Sequence, residues 1–284
     1  MNYKHITVGI VTYKSEKILI QCLKSLRGHK KVIIFDNSND KNLKKIIKKK
    51  YSHIKVILSK TNLGFGAGNN KIVKYTKSKY LFLISPDTRL QKNCIKNLFI
   101  ASKKLNNDFS ILTPSSNDKN FGYFKNNSKS KRIEKNIIKV DYVKGFAMFL
   151  NLKKFKNFSL FDERMFLYLE EIDLCKRLIN KKQNIFLIKN SYIKHLFAKS
   201  SDIGFEYERC RNWHWMWSKT YFNFKHKNFL LSLVIAMFDI FKNFMKGFLS
   251  IFFDKKKSDI SFLRASGTFN ALIGNKSYFR PKIN

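Results

Sequence analysis

Short apolar segments alternate with amphipathic segments through the first part of the chain, and this alternation limits the possible folds more than any other feature. Buried strands are predicted at 6–11, 32–35, 54–58, 80–84 and 111–112. Helices are predicted at 16–27, 41–50, 71–78 and 91–105, with Ser15 placed to cap the first. Strand–helix repetition with short connections is typical of a doubly wound α/β fold, so we predict a mostly parallel sheet flanked by helices.

The rest of the chain is less regular. Residues 115–136 are polar and rich in Lys and Asn, and we predict a mobile excursion there. Further segments are predicted as a strand at 141–152, a loop entering a helix at 165–179, and short strands at 185–188 and 192–193 that end at His195. Residues 205–226 are rich in aromatic side chains and are predicted to be helical.

The chain is strongly basic: 57 Lys and Arg residues stand against 19 Asp and Glu residues, a formal net charge of +38. Such a field attracts polyanions, among them nucleic acid, anionic lipid headgroups and phosphorylated sugar donors. A drift of the whole proteome toward Lys, Ile, Asn and Phe is an equal explanation. The basic residues are spread along the whole sequence without a nucleic-acid-binding motif, which makes specific nucleic-acid binding the weaker alternative.

Cysteine usage and the N-terminal residues bear on the compartment. The four cysteines are widely spaced and form no CxxC pair, so neither a zinc site nor a disulfide framework is predicted. The chain runs directly into a strand pattern, without the apolar stretch of a signal peptide. Both observations predict a reducing, cytoplasmic environment.

Residues 229–253 are strongly apolar, yet they contain Asp239, Lys242, Asn243 and Lys246. These interruptions argue against a segment that spans a bilayer. Their spacings of three and four place them on one helix face. We therefore predict a helix lying in an anionic membrane interface, with Phe and Leu in the lipid and Lys near the headgroups. The alternative is an amphipathic helix packed on its own domain.

Polar residues follow three of the predicted strands: Thr12, Asp36 and Asp87. In open parallel sheets, ligands bind outside the carboxyl ends of the strands, at the point where the strand order reverses. Asp and Asn at a single strand end are ordinary turn residues. Polar clusters at three strand ends together favour one nucleotide site.

A glycine-rich motif, NLGFGAGNN at 62–70, follows the third predicted strand and leads into a helix. Glycines at alternate positions let the backbone approach a ligand closely and expose its N–H groups. The motif has neither the spacing of a dinucleotide-binding fingerprint nor the ending of a P-loop. A ligand-binding turn and a flexible turn both fit it.

Pro86 ends the fourth predicted strand and leaves Asp87 at the edge of the sheet. A carboxylate in that place can hold Mg²⁺ or Mn²⁺ against a diphosphate. His195, at the end of a late strand, can bring a neutral imidazole to the same metal. A turn aspartate and a structural histidine are the alternatives.

Three carboxylates, Glu170, Glu171 and Asp173, lie within four positions of this basic chain. A general base needs a carboxylate that reaches into a cleft, and acidic residues beside an aromatic run favour such a role. Two alternatives stay open. Carboxylates also stabilise the first turn of a helix, and Asp173 can form an ordinary i,i+4 ion pair with Arg177.

Taken together, the motifs resemble family 2 glycosyltransferases, most closely the bacterial rhamnosyltransferase-like members. The resemblance covers residues 5–225, and the ordered set is far more specific than any one motif. The motifs that carry it are Thr12-Tyr13, Asp36-Asn37, residues 62–70, Ser85-Pro86-Asp87, Gly145, residues 170–175, and Arg211-Asn212.

The resemblance implies an inverting enzyme with a GT-A fold. Its domain would occupy 1–225, with a nucleotide-sugar-binding half at 1–115 and an acceptor-binding half at 116–225, and a helical, membrane-associating extension would follow at 226–284. The implied site residues are, for the donor nucleotide, Thr12, Tyr13, Asp36, Asn62, Gly64, Gly68 and Asn69; for a divalent metal, Mg²⁺ or Mn²⁺, Asp87 and His195; for catalysis, Glu171 as the base; and for the acceptor or for orientation, Gly145, Glu170, Asp173 and Arg211.

Two positions depart from the family pattern. Ser85 stands where Asn or Asp is usual, which leaves one carboxylate at the metal site and puts metal dependence in doubt. Glu171 stands where Asp is usual, so the geometry of the base must adjust by about an ångström, enough to affect the rate.

The predicted reaction is transfer of a sugar from a UDP- or dTDP-linked donor, such as a rhamnose donor, to a saccharide or lipid-linked acceptor of a cell-surface polysaccharide or lipopolysaccharide. The predicted location is the inner face of the cytoplasmic membrane, with an anionic membrane surface as partner and no specific nucleic acid. Two alternatives remain: a basic nucleic-acid-binding protein, and a catalytically degenerate homologue that only binds a donor.

Overall fold

The computed structural model describes residues 3–118, 131–156, 159–196 and 204–280. The chain forms two compact units. The first comprises Met1–Asp162 and Glu171–Ser201, and the second comprises Glu163–Glu170 and Asp202–Asn284.

The first unit contains the sheet and five helices of the described chain. The strands are β1 (Ile6–Thr12), β2 (Val32–Asp36), β3 (Lys55–Leu58), β4 (Tyr80–Ile84), β5 (Thr88–Leu90), β6 (Ile111–Ser116), β7 (Lys131–Glu134), β8 (Ile137–Lys139), β9 (Ala147–Asn151) and β10 (Ile185–His195). The helices are α1 (Glu16–Ser25), α2 (Lys41–Lys50), α3 (Gly64–Tyr75), α4 (Cys94–Lys104) and α5 (Glu170–Asn180).

All ten strands join one mixed sheet in the order β3-β2-β1-β4-β9-β6-β10-β8-β7, with β5 paired to β10. β3, β2, β1 and β4 are parallel, as the alternation of strands and helices predicts. β9 lies antiparallel between β4 and β6, while β10 is parallel to β6. Apolar clusters fill both faces of the sheet, which explains why β1, β2 and β4 are buried along their whole length.

Two glycines let α3 lie close to the sheet. A side chain on Gly9 of β1 would begin 2.8 Å from Ile72 and Leu83. One on Gly68 of α3 would begin 3.0 Å from Val11 and 3.3 Å from Phe35. The glycine-rich motif is therefore the N-terminal half of a helix packed on β1 and β2, because small residues are needed where backbones approach closely.

Several predicted bounds are wrong in the first unit. α3 begins at Gly64 and ends at Tyr75, whereas the prediction was 71–78, because close packing on the sheet outweighs the poor helix propensity of glycine. Ser15 lies at the N-cap of α1 but makes no capping hydrogen bond; its hydroxyl instead bonds Thr12 and the backbone of Tyr13.

The predicted strand bounds after residue 112 also differ from those in the structure. The fifth predicted strand extends to Ser116, and residues 131–134 of the predicted excursion are β7; residues 119–130 lie outside the described part. The strand predicted at 141–152 is confined to β9. The short strands predicted at 185–188 and 192–193 form the single strand β10, with an irregularity between Ile188 and Tyr192.

The second unit contains α6 (Phe205–His226), α7 (Phe229–Ser250) and α8 (Lys255–Leu272). Met165, Trp213 and Trp217 form its buried apolar cluster. The predicted boundary after residue 225 separates α6 from α7 and α8, whereas the structure groups the three helices together, with α8 packed on both others.

The predicted polar face of residues 229–253 is divided in the structure. Asp239 and Asn243 are buried, whereas Lys242 and Lys246 are exposed. Of the helices in the described ranges, none combines the length and the apolarity that a membrane crossing requires.

Gly267→Ala is expected to destabilise the second unit. Its new methyl group would lie 2.4 Å from the backbone oxygen of Trp213, so α6 and α8 must separate, at a cost of roughly 1–3 kcal/mol. Gly247→Ala is the matched control, because its methyl would meet the Phe262 ring at 3.0 Å and a ring can turn aside.

Equilibrium urea unfolding followed by tryptophan fluorescence tests this, since the protein's three tryptophans all lie in α6. The midpoint should fall clearly for Gly267→Ala and less for Gly247→Ala. Equal midpoints for wild type and Gly267→Ala would contradict close contact between α6 and α8.

Candidate active site

The carboxyl ends of β1, β2 and β4 meet at one edge of the sheet. Thr12 and Asp36 are in register across β1 and β2, and Ile10 is paired with Ile84, the last residue of β4. The Asn37 N–H donates to the Thr12 carbonyl at 2.9 Å. The polar clusters predicted from the strand ends therefore lie along a common edge.

Asp36 is fully buried and orders the loop after β2. Its Oδ1 accepts from the backbone N–H and the hydroxyl of Ser38, at 3.1 and 2.5 Å, and its Oδ2 accepts from the Asp40 N–H at 2.7 Å. Thr12 is also buried and its hydroxyl lies 2.7 Å from that of Ser15. Both side chains thus shape the edge, and Tyr13 beside them is half-buried.

Asn37 fixes the start of the glycine-rich helix. Its amide donates to the Gly64 carbonyl and accepts from the Leu63 N–H, both at 3.0 Å, while Asn62 accepts from the Gly64 N–H. Gly64 has φ +83°, a conformation that glycine adopts without strain. These bonds hold the turn between β3 and α3 against the end of β2.

Gly68 and Asn69, the other residues of this motif that were predicted to bind the donor nucleotide, lie within α3. Asn69 is buried and its amide donates to the Phe65 carbonyl one turn earlier. Gly68 faces Val11 and Phe35. The structure therefore gives both residues a role in packing α3.

Asp87 and His195 come together because β5 pairs with the end of β10. Thr88 is in register with His195, and the Leu196 N–H donates to the Asp87 carbonyl at 3.0 Å. The His195 Nε2 lies 3.3 Å from Asp87 Oδ2. Residues far apart in sequence are thus brought to the same edge as β4.

Two residues that the sequence analysis did not single out position His195. The Phe146 ring stacks on the imidazole, with centroids 4.1 Å apart and planes 13° apart. Asn117 and His195 exchange two hydrogen bonds: the His195 N–H donates to the Asn117 side-chain oxygen, and the Asn117 amide donates to the His195 carbonyl. Phe146 follows the Gly145 of the resemblance and Asn117 belongs to no motif, and the tertiary fold reveals the contact of each with His195.

The Asp87–His195 pair fits a divalent cation shared with a diphosphate. Asp87 Oδ1 is buried and accepts no hydrogen bond from the described residues. A carboxylate oxygen and an imidazole nitrogen are both ligands for Mn²⁺ and related ions. Within the described ranges, no three His, Cys, Asp or Glu side chains gather as a metal site, so such an ion would take its other ligands from phosphate and water.

Glu171 lies in the first turn of α5 and packs against Gly145. A side chain at position 145 would begin 3.4 Å from the Glu171 carboxyl carbon. Burial raises the pKa of Glu171 from 4.5 to about 7, against the opposing effect of backbone N–H groups at the helix start. A carboxylate with this pKa is suited to accept a proton near neutral pH.

Consecutive residues link Glu171 to the Asp87–His195 pair. Gly145 lies beside Glu171, and Phe146 stacks on His195. The Phe146 carbonyl also accepts from the Ser85 N–H at 3.0 Å, which ties the segment to the end of β4. The base candidate and the metal-ligand candidates therefore border the same short segment before β9.

Asp173 and Glu170, the other carboxylates of α5, are both buried. Asp173 accepts from Arg177 Nε at 2.7 Å, and the same guanidinium donates to the carbonyls of Ser159 and Leu160 at 2.6 Å. The i,i+4 ion pair is thus present, and it holds the preceding loop. Glu170 is the first residue of α5 and belongs to the second unit.

Arg211 lies in α6 of the second unit, among aromatic side chains. Its Nε donates to the Tyr168 hydroxyl, and its guanidinium lies 5.4 Å from the centre of the Tyr207 ring. Tyr168 and Leu169 have φ of +73° and +65°, so the chain just before α5 is held in an uncommon conformation.

The sequence model of glycosyl transferase family 2 matches residues 7–173, more than half of the 284 residues. The chain belongs to glycosyl transferase family 2. The matched range contains the candidate site residues up to Asp173, while His195 and Arg211 lie beyond it.

Curated relatives in archaea and bacteria are consistent with this family. The chain is 25% identical over 199 residues to low-salt glycan biosynthesis hexosyltransferase Agl10 of Haloferax volcanii, covering 63% of each chain. It is 27% identical over 199 residues to rhamnosyltransferase WbbL of Escherichia coli, covering 60% of this chain and 75% of that protein.

The fold is also similar to that of a solved structure. The structure described as GalNAc-T7 with UDP, GalNAc and Mn²⁺ superposes with a TM-score of 0.57 at 12% identity, over 75% of this chain and 50% of that one. The fold is therefore GT-A, with a C-terminal helical region. The chain spans about 63% of the archaeal relative and half of the GalNAc-T7 chain.

The raised pKa of Glu171 predicts how stability depends on pH. Because the folded protein binds this proton more tightly than the unfolded chain, the stabilisation is complete below about pH 4.5 and is lost as pH rises through about 7. Glu171→Gln has no proton to lose there. The melting temperature of wild type should fall relative to Glu171→Gln as pH rises from 5 to 8.5.

Glu208→Gln serves as the control, since Glu208 is exposed on α6. Its melting temperature should run parallel to that of wild type through the same titration. A constant difference between wild type and Glu171→Gln would show that the Glu171 carboxyl is not desolvated.

Proposed function

We propose that this protein transfers a sugar from a nucleoside-diphosphate sugar to an acceptor hydroxyl with inversion at the anomeric carbon. The proposal rests on one observation: two different chemical groups border residues 145 and 146. On one side is Glu171, a carboxylate whose pKa is about 7, and on the other is the Asp87–His195 pair. Family membership supports the same reaction class.

Glu171 acts as the base in the proposed reaction. It accepts the proton of an acceptor hydroxyl while that oxygen attacks the anomeric carbon. The new glycosidic C–O bond forms as the bond from the anomeric carbon to the diphosphate oxygen breaks. Because Gly145 has no side chain, the Glu171 carboxyl group can lie close to the backbone of the segment before β9.

Asp87 and His195 would hold Mg²⁺ or Mn²⁺ at the diphosphate. The bound ion supplies positive charge to the departing diphosphate oxygens. Phe146 stacks on the imidazole and Asn117 holds the His195 backbone, so His195 needs little reordering when the donor binds. The GalNAc-T7 structure, which was solved with UDP and Mn²⁺, supports this assignment by analogy of fold.

The donor nucleotide is proposed to lie along the ends of β1 and β2. Tyr13, beside buried Thr12 and Asp36, supplies a half-buried ring for a base such as uracil or thymine. The ordered loop from Asp36 to Asp40 and the Asn37-braced turn at Gly64 then frame the ribose and diphosphate. A dTDP- or UDP-linked hexose such as rhamnose fits this proposal and the similarity to WbbL.

The proposed acceptor is a saccharide or a lipid-linked saccharide of a cell-surface glycan. Agl10 is named for glycan biosynthesis and WbbL is a rhamnosyltransferase, which supports the class of product. We propose that the enzyme works in the cytoplasm, at the inner face of the cytoplasmic membrane. Arg211 and Glu170 are proposed to contact or orient the acceptor.

Glu171→Gln is expected to slow transfer about 10²–10⁴-fold while donor binding is kept. The amide has nearly the shape of the carboxyl group but cannot accept the proton, and general bases contribute about 10²–10⁴-fold to rate. Transfer of a radiolabelled sugar measures the rate. Donor binding is measured by the thermal shift with UDP-, dTDP- and GDP-sugars in the presence of Mn²⁺.

The control is again Glu208→Gln, which should retain the wild-type rate. Full transfer by Glu171→Gln with unchanged donor binding would remove Glu171 from the mechanism. A wild-type protein that shows no thermal shift with any nucleotide sugar would remove the proposed activity itself.

Gly145→Val is expected to slow transfer without weakening donor binding. Its first side-chain carbon already reaches contact distance from the Glu171 carboxyl group, and the two further methyl groups must push the carboxyl aside. A displacement of about 1 Å can cost about 10²-fold in rate. Steady-state kinetics should show kcat lowered at a similar donor KM. Gly145→Ala, which fits at ordinary contact distance, should lose much less, and equal losses would contradict the contact.

A further inference from the structure

Helix α7 is packed with its polar face inward. The residues of α7 that are buried are small or polar: Ser232, Ala236, Asp239, Asn243, Gly247 and Ser250. This is the reverse of an ordinary surface helix, whose apolar stripe faces the core.

Specific bonds hold α7 in this orientation. The Lys219 Nζ lies 2.6 Å from Asp239 Oδ2, and the Asn243 amide donates to the Asp239 carbonyl at 2.7 Å. The Ser258 hydroxyl of α8 donates to the Gly247 carbonyl at 2.9 Å. A turn of α7 about its axis would bury Phe side chains but would separate Asp239 from Lys219 and the Gly247 carbonyl from Ser258, which is costly.

The opposite face exposes large apolar side chains along the whole helix and the turn after it. Phe238, Phe241 and Phe248 are 62%, 66% and 53% exposed, and Phe253 is 90% exposed. Leu230 at the start of α7 is 68% exposed. Soluble monomers rarely expose continuous apolar patches larger than a few hundred Å², so this face is suited to contact an apolar phase.

Lysines border the apolar face. Lys242 and Lys246 are exposed one turn apart, and with Lys257 they line a groove of about 780 Å³ whose other walls include Phe238 and Phe241. The groove also contains Asp254, whose carboxylate accepts from the Lys257 N–H and so caps α8. Cationic side chains therefore stand beside the aromatic rings.

The positive charge of this face favours an anionic lipid surface over a second copy of the chain as its partner. A second copy of the chain would bring the same lysines together and would add another net charge of +38. An anionic lipid surface complements them, at about 1 kcal/mol for each lysine near the surface. Aromatic rings are also favoured at the boundary between headgroups and acyl chains.

We propose that the outer face of α7, with the turn at 251–253, docks on an anionic lipid surface. The helix lies along the surface, with Phe238, Phe241 and Phe248 inserted among the acyl chains and Lys242, Lys246 and Lys257 at the lipid phosphates. This assigns a surface to the membrane location proposed above and rests on that location, while it is independent of the sugar-transfer chemistry.

Vesicle co-sedimentation of the full chain, without donor or acceptor, tests the docking. Binding is expected with vesicles of equal parts phosphatidylcholine and phosphatidylglycerol and is expected to be much weaker with phosphatidylcholine alone. Phe238→Ser with Phe241→Ser should lower the partition coefficient at least about tenfold, since both rings leave the lipid. The control is Tyr75→Ser, which removes an exposed ring on α3 of the other unit.

A second pair of variants separates local charge from net charge. Lys242→Gln with Lys246→Gln should weaken binding about thirtyfold. Lys48→Gln with Lys49→Gln removes the same charge from exposed positions of α2 and should change binding little. Equal effects of the two pairs would show non-specific attraction by the whole basic protein and would overturn the proposal.

Two further outcomes would also overturn the docking. One is equal binding by wild type and the double Phe variant; the other is a concentration-dependent dimer, seen by analytical ultracentrifugation, that Phe241→Ser dissociates. Nucleotide-sugar thermal shifts are measured on the same variants. A variant that loses vesicle binding but keeps the thermal shift has a docking defect. Vesicle binding without any thermal shift would instead show that the proposed activity is wrong.

Discussion

The contact of residues 145–146 with two separate groups is the constraint on which the candidate site depends. Gly145 lies beside Glu171 and Phe146 stacks on His195, so consecutive residues border both the carboxylate and the Asp87–His195 pair. The Ser85–Phe146 bond anchors that segment to the end of β4. The sheet therefore holds Glu171, Asp87 and His195 in place, although they are far apart in sequence. Preorganised sites need such fixed positions.

The local sequence was sufficient wherever one pattern dominated. β1, β2 and β4 are continuous apolar runs, and α2 has its bounds as predicted. The pattern failed at α3, because propensity treats glycine as a helix breaker while the structure uses Gly68 for close approach to β1. The contacts of Asn117 and Phe146 with His195 were not predicted, since they join segments 78 and 49 positions apart along the chain.

The orientation of α7 shows a different limit of sequence patterns. Its spacing predicted a two-faced helix, but periodicity does not say which face lies inward. That choice depends on partners outside the helix, Lys219 and Ser258, which meet Asp239 and Gly247. The predicted single polar face therefore divides into a buried half and an exposed, lysine-bearing edge, and the choice of face follows from the neighbours.

Burial of carboxylates makes the outside of this protein more cationic than its composition. Asp36, Asp87, Glu170 and Asp173 are withdrawn from solvent, whereas Lys144 is the buried lysine of the described chain. In the proposed reaction the nucleoside diphosphate left behind carries more negative charge than the sugar donor that arrived. The same field that attracts the donor therefore also holds the spent nucleotide, and added salt would weaken both interactions.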